Sequence, residues 1–334
     1  MLAKLVRTSH LTLLAGALGL SVATASAQEV TLRYGHMHTP TSIAGMQAEW
    51  LAEAIEEKTG GEVSVEMYPN SQLGRLQELA EAVSTGSIAL SHNTAGAIGS
   101  LYAPFAAFDT PYLYRDVDHL MAVMDVDSPV MSELNEELAA ASGVRLLYAF
   151  YFGTRHLTAN QEILTPEDLD GVKIRSIPFP IYMATVEGMG AIPVPVDWSE
   201  VPTALATGVV EGQENPVNVV VTAKLNEVQS HLMLTGHISA AQVVVISDDT
   251  WQSLSPENQA AIAEAAQEVR QRATDAMLEA EASDLATLAE AGMQIVGPEQ
   301  GLDVETFKSR VQARIAEEFD EQYGDLYQLI RETR

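Results

Sequence analysis

The sequence predicts an α/β protein built as two lobes, and three observations carry that expectation. Strand and helix patterns alternate from residue 30, the alternation restarts after Tyr151, and residues 257–291 form a stretch of 35 without Gly or Pro. Residues 30–35 alternate as a strand, and 44–59 carry apolar side chains at helical spacing (Met46, Trp50, Leu51, Ala54, Ile55) before Gly60-Gly61 stops them. A strand at 63–68, a helix at 76–83 closed by Gly86, and a strand around 88–92 complete a β-α-β-α-β order. Two helices (116–124 and 129–142) and a strand (144–151) follow.

The second unit reads as strands at 157–159 and 172–177, a helix at 181–189, a strand at 192–196, a helix at 201–207 and a strand at 209–211. A strand at 243–247 returns, and no Ser/Gly-rich linker separates the units, so connecting strands are expected to cross between the lobes. Ser255-Pro256 supplies an N-cap and a first turn for the long segment. As one helix it would run about 52 Å, enough to brace both lobes; the alternative is two helices broken near Ser283-Asp284. The first unit ends near Tyr151, which gives expected boundaries of 28–152 with 241–280 for lobe I, and 153–240 with 281–334 for lobe II.

The start of the chain has Lys4 and Arg7, an apolar run over 11–23, and Ala25-Ser26-Ala27, the three parts of a secretory signal peptide cut after Ala27. That run is short of the ~20 residues that span a bilayer, so a mature exported protein is expected. The sequence has no Cys, which excludes disulfides, thiol nucleophiles and Cys-based metal sites. Loss of Lys4 and Arg7 with the leader takes the formal charge from −28 to about −30. Such a surface disfavours nucleic acid and anionic lipid. It fits a saline habitat or an ordinary acidic secreted protein.

No His-Glu-x-x-His, Gly-x-x-x-x-Gly-Lys, Gly-x-Ser-x-Gly or Gly-x-Gly-x-x-Gly pattern is present, so neither a cofactor nor catalysis is expected. His36 and His38 can share one side of an extended segment, but no third ligand is near in sequence, and no metal is expected. His92, His156 and His237 read as hydrogen-bonded pocket or surface residues. In so acidic a chain, Arg155 and Arg175 stand out. A planar guanidinium grips a carboxylate through two parallel hydrogen bonds. Taken alone, spacing slightly favours a surface ion pair for each arginine, for Arg175 with Asp170 or Glu187, and a turn role for Asn215 before Pro216 is open.

Four segments change that balance: Tyr151-Phe-Gly-Thr-Arg-His-Leu-Thr158, Thr165-Pro-Glu-Asp-Leu-Asp-Gly-Val-Lys-Ile-Arg175, Trp198-Ser-Glu-Val-Pro-Thr-Ala-Leu-Ala-Thr-Gly208 and Val210-Glu-Gly-Gln-Glu-Asn-Pro216. With Tyr68-Pro-Asn-Ser-Gln-Leu-Gly74 and Glu81-Ala-Val-Ser-Thr-Gly86, they resemble the DctP-type solute-binding proteins of tripartite ATP-independent periplasmic (TRAP) transporters. The resemblance runs in order along nearly the whole mature chain. It implies a two-lobed periplasmic binding protein fold with hinge strands and a long helix spanning both lobes. It implies a non-catalytic, monomeric periplasmic protein that captures a small organic carboxylate and hands it to membrane permease subunits.

By that resemblance Arg175 clamps the ligand carboxylate, with help from Arg155 and Asn215. A looser alignment brings His36, His38, Asn93, Thr94 and Trp198 to the cleft, and Phe179 and His237 join the expected site. The apolar Ser-Ile-Pro-Phe-Pro180 segment stands where sialic-acid-type members offer an amide, which argues against that ligand. The expected ligand is a sugar acid such as a uronate or aldonate. The alternative is a zwitterionic osmolyte such as ectoine, its cationic ring on Trp198 and Phe179. The rival classes are a periplasmic hydrolase and a sensor subunit.

Overall fold

A computed structural model describes residues 30–334. The expected signal peptide and its cleavage after Ala27 lie outside the described residues. Within them no helix is long and apolar enough to cross a membrane.

The chain opens with β1 (Val30–Gly35), α1 (Ile43–Lys58), β2 (Val63–Tyr68), α2 (Leu76–Ser84), β3 (Leu90–Asn93) and α3 (Ala95–Ile98). Helices α4 (Val117–Val123) and α5 (Met131–Ser142) lead into β4 (Val144–Ala159). The second unit holds β5 (Lys173–Ser176), α6 (Pro180–Gly188), β6 (Ile192–Pro195), α7 (Val201–Ala206), β7 (Gly212–Pro216) and α8 (Val217–Thr222). Last come β8 (His231–Ser247), α9 (Asp248–Ser253), α10 (Pro256–Glu290), β9 (Gln294–Val296) and α11 (Val304–Glu332). The strands form one sheet in the order β2-β1-β3-β8-β4-β7-β5-β6, with β9 on β8.

The middle of that order explains how two lobes share a sheet. β4 and β8 pair antiparallel along almost their whole lengths, from Val144↔Ser247 to Ala159↔His231. One end of the pair meets β3, and the other meets β7. The sequence reading splits β4 into 144–151 and 157–159, whereas the structure has a single strand of 16 residues. The Gly153-Thr-Arg interval is not a turn but a bulge: pairing slips between Tyr151 and Gly153, and Gly153 has φ +114°, a backbone state that L side chains rarely adopt. β8 likewise begins 12 residues before the expected 243–247 strand.

The long segment is one helix, unbroken at Ser283-Asp284. Ser255 caps it, accepting from the amide of Asn258 at 3.1 Å. On α1 it is met by Lys58, paired with Glu264 (2.8 Å) and Glu268 (3.2 Å), and by Trp50, whose ring lies 3.9 Å from the Arg272 guanidinium. Further along, Thr274 accepts from the Tyr151 amide, and Glu281 accepts from Thr154 N (2.9 Å) and the Tyr151 hydroxyl (2.8 Å). These bonds grip β4 at its bulge.

α11 was not expected, though its buried stripe is helical: Phe307, Val311, Ile315, Phe319, Tyr323, Tyr327 and Ile330. Near its start it packs on α6, where a Cβ on Gly188 would come 2.7 Å from the Val311 Cα. Near its end Tyr327 meets Thr110 (2.9 Å), and the Ile330 carbonyl meets His119 (2.9 Å).

The strand expected at 209–211 lies three residues later, as Gly212–Pro216. Apolar Val209-Val210 drew the expectation, but the paired strand is polar because its side chains find buried partners. Gly212 is required there by space. A Cβ would fall 2.3 Å from the Thr158 carbonyl oxygen and 2.7 Å from Ile174 Cδ1. Gly212→Ala is therefore expected to destabilise by about 1–3 kcal/mol, the usual cost of overpacking. A urea midpoint equal to the parent's would show that β7 has room to shift.

Candidate functional site

A cleft with about 20 Å³ of free volume lies between the two units. Met37, His38, Leu76 and Thr94 come from the first; Arg155, Arg175, Ile177, Trp198 and Asn215 come from the second. Phe152, Val219 and Gln242 complete the wall. Thus the structure brings together six of the expected residues: His38, Thr94, Arg155, Arg175, Trp198 and Asn215.

The two arginines differ in what they hold. Arg155, 2% exposed at the end of β4, is engaged by Glu214 across the β4–β7 pairing. Its Nε donates to Glu214 Oε2 (2.6 Å), and its Nη2 donates to Oε1 (2.8 Å) and to the Glu214 carbonyl (2.6 Å). Burial by itself would push the Glu214 carboxyl up, but Arg155 and His237 outweigh it and hold it down at about 2. His237 Nε2 lies 3.0 Å from Glu214 Oε2, and its Nδ1 lies 2.8 Å from Thr235 Oγ1. Burial pushes His237 below its ordinary value despite Glu214, so a neutral ring donating from Nε2 fits the network.

Arg175, 1% exposed on β5, has no carboxylate of its own. Its Nε donates to the Val196 carbonyl at 2.9 Å, which fixes the plane of the fork. The two terminal nitrogens have no hydrogen-bond partner among the described residues, and the side chain lines the cleft. Burial, with Arg155 nearby, pushes the Arg175 pKa down to about 10 even though Glu214 and Asp197 pull it back. It stays charged at neutral pH. The direction says that this cation is short of negative charge.

Asn215 follows Glu214 on β7, so it is strand rather than turn. Its amide nitrogen donates to Gln213 Oε1, Gln213 donates to Thr158 (3.0 Å), and Thr158 donates to Gln229 (3.1 Å). This relay holds the Asn215 side chain at the cleft wall. At the mouth Arg75, which caps α2, pairs with Asp197 at 2.5 Å beside Trp198. The pair joins the first unit to the second across the opening.

Four expected residues are not on the cleft wall. His36 stacks on one face of the His92 ring at 4.7 Å while His38 stacks on the other at 5.1 Å, so His36 sits a layer behind. Asn93 is satisfied internally, donating to the Leu76 carbonyl (2.8 Å) and accepting from Thr94 N (3.0 Å). Phe179 caps α6 and faces α11 in a separate groove with Phe319 and Tyr323. His237 reaches the cleft only through Glu214. The histidines meet face to face, which withdraws their lone pairs from any shared point, and no cluster of three metal-binding side chains occurs among the described residues.

Sequence reasoning missed Gln242, Phe152 and Glu214 as site residues. Gln242 is 2% exposed with an unpartnered Oε1, and its signal was one polar residue in the apolar run Ala240–Ile246. Glu214→Gln should leave Arg155 buried without its counter-ion, at a cost typically of about 3–5 kcal/mol. Thermal unfolding of the variant checks this, and an unchanged midpoint would mean that water or a neighbour replaces the carboxylate.

Comparison with known proteins places this geometry. The model of bacterial extracellular solute-binding protein family 7 matches residues 34–322. The sialic acid-binding periplasmic protein of Vibrio cholerae is 32% identical over 308 residues, 92% of this chain and 94% of that protein. The ectoine/5-hydroxyectoine-binding periplasmic protein of Ruegeria pomeroyi is 29% identical over 317 residues, 93% and 91% of the two chains. A TRAP periplasmic solute-binding protein of Roseobacter denitrificans, solved with bound L-galactonate, superposes with a TM-score of 0.84 at 28% identity, covering 91% of this chain and 99% of that one. The protein, a two-lobed α/β chain with paired arginines in its cleft, therefore belongs to family 7 of the bacterial extracellular solute-binding proteins, the DctP type.

Proposed function

We propose that the protein captures a small hydroxylated carboxylate, a sugar acid of the uronate or aldonate kind, and delivers it to the membrane permease subunits of a TRAP transporter. The observation that carries this reading is the Arg175 fork, buried, held by Val196, and open at both terminal nitrogens toward the cleft. A carboxylate there gains two charge-assisted hydrogen bonds and supplies the missing counter-charge. The wall carries two guanidiniums and no carboxylate side chain, a composition suited to holding an anion. Asn215, Thr94, His38 and Gln242 offer donors and acceptors to hydroxyl groups.

Export through the signal sequence, with cleavage after Ala27, release into the periplasm and work as a monomer belong to the same reading. So does a saline habitat for a chain of formal charge about −30. The lobes would be 28–152 with 241–280, and 153–240 with 281–334, the end of α11 reaching back to Thr110 and His119. Ligand bridging both lobes favours closure by as much as it binds the closed form better. The osmolyte reading keeps Trp198 and gains Phe152, but Phe179 stands outside the cleft, which removes half of the aromatic cage it needs. Turnover of the bound acid would instead favour a hydrolase, and coupling of occupancy to a membrane signalling protein would favour a sensor.

Two experiments test the reading. A panel of sugar acids in thermal scans should contain members that raise the melting temperature while their uncharged alcohols do not; at ligand ~100-fold above Kd the stabilisation is about 2.7 kcal/mol. In Arg175→Lys binding should fall nearly as far as in Arg175→Ala, by ~2–5 kcal/mol, because charge without the planar fork loses the paired bonds. Equal shifts from acid and alcohol, or a Lys variant that binds like the parent, would sink the clamp. The closing motion is separate: one spectroscopic label on each lobe should come closer on adding the acid, and Arg75→Ala should weaken closure, with a coupling of about 0.2–1 kcal/mol that salt reduces. A distance unchanged at demonstrated saturation would reject hinge closure.

A further inference from the structure

Beside the arginine cleft lies a second cavity with about 190 Å³ of free volume, and His38, Phe152 and Val219 line both. Its floor is one face of α10, where Met277, Ala280 and Asp284 recur at helical spacing and the small Ala280 leaves room. Its other walls are the first turn of α1 and the end of α8, including Asn218 and Thr222. Phe152 forms the partition: its ring leans on His38 at 5.2 Å, and its carbonyl accepts from Asn218 at 3.1 Å. The cleft itself is nearly closed, and the second cavity gives the pair the larger share of its free volume. Side by side they offer more than a three-carbon acid can fill.

The polar groups of the second cavity are of mixed kind and incompletely used. Asp284, half-buried, has no ion pair or hydrogen-bond partner among the described residues, and burial raises its pKa. His38 is 9% exposed and its Nε2 has no partner. Thr222 donates to the Asn218 carbonyl at 2.8 Å, which leaves its oxygen free to accept. At the start of α1 the amide of Gly45 is met by the Ser42 hydroxyl and that of Met46 by the Ser42 carbonyl, while Ile43 and Ala44, which line the cavity, keep open first-turn amides. A second anion would be repelled by Asp284. A lone cation would meet the positive end of a 16-residue helix. A hydroxyl group, donor and acceptor at once, satisfies both sides.

We propose that this cavity is a tail subsite: a linear polyhydroxy acid of six or more carbons sets its carboxylate on Arg175 and its distal hydroxyls against Asp284, Thr222 and the start of α1. The inference rests on the carboxylate reading of Arg175 and adds a length requirement to it. Phe152 then acts as the bend around which the chain passes, and α10 contributes to ligand choice as well as to bracing.

Calorimetry with D-glycerate and two hexonates, D-gluconate and L-galactonate, tests it on the mature protein, the second hexonate guarding against a stereochemical mismatch. At least one hexonate should bind about tenfold or more tightly than glycerate. That preference should shrink about tenfold in Asp284→Asn, which loses a charge-assisted bond, and in Ala280→Leu, which fills the space without removing a polar group. Urea midpoints near the parent's confirm that each variant is folded, and either variant alone suffices. Equal affinities for three- and six-carbon acids in the parent, or a preference that survives both substitutions, would overturn the subsite. If glycerate binding is still lost in Arg175→Ala, the clamp stands while the tail subsite falls. Should no acid of either length bind, or Arg175→Ala make no difference, both readings fall together.

Discussion

Two guanidiniums buried in one cleft repel each other, and only one of them has a carboxylate of its own. Arg155 and Glu214 form a closed unit in which each charge stabilises the other and His237 completes the acceptor's shell. Arg175 sits in the field of that unit with its fork unfilled, its charge disfavoured by burial and by Arg155. Desolvation makes an unpaired cation costly and makes the arrival of an anion correspondingly favourable. Under the proposed hinge closure the cleft would be easier to keep closed when occupied, and this asymmetry between two similar residues would tie the electrostatics of the site to that closure.

That motion needs a connection that bends without coming apart. β4 and β8 provide it by running through both units as one antiparallel pair, while Gly153 and the adjacent slip in pairing give a place where the twist can change. Glu281 and Thr274 of α10 bind the backbone on both sides of that place, at Tyr151 and Thr154. Arg155 is the next residue along. The bulge thus lies within one residue of the guanidinium that shares the cleft with Arg175, and α10 and α11 touch both units.

Much of this was legible in the sequence where local rules act alone. The absence of Gly and Pro over 257–291, after Ser255-Pro256, favoured one helix for α10 over two broken near Ser283-Asp284, and the family motifs led to Arg175. What escaped was decided by tertiary partners. The Gly-Gln-Glu-Asn-Pro strand is polar because Gln213 finds Thr158 and Glu214 finds Arg155, pairings that no alternation of apolar residues announces. Gly153 looked like a break and is a bulge. His36 and His38 are two apart and equivalent by strand period, yet His92 between them leaves only His38 at the wall. Asn93 and Thr94 divide in another way: Asn93 is used up by backbone away from the wall, while Thr94 caps α3 by accepting from the Ala97 amide and still lines the cleft.

The acidic surface adds a last constraint. A formal charge of −28 repels an approaching acid at long range, so the arginines cannot recruit ligand by steering from afar. Screening over a Debye length of about 8 Å at physiological ionic strength confines that repulsion to the surface, and higher salt shortens it further. Inside the cleft the local balance differs: Glu214 pairs with Arg155 and Asp197 with Arg75, buried Asp109 adds to the field at Arg155, and Arg175 is left without a carboxylate partner among the described residues. One carboxylate on the Arg175 fork would supply that missing partner, so the proposed clamp asks for a single acidic group at this point and leaves the rest of the wall, which carries no carboxylate, to uncharged polar contacts.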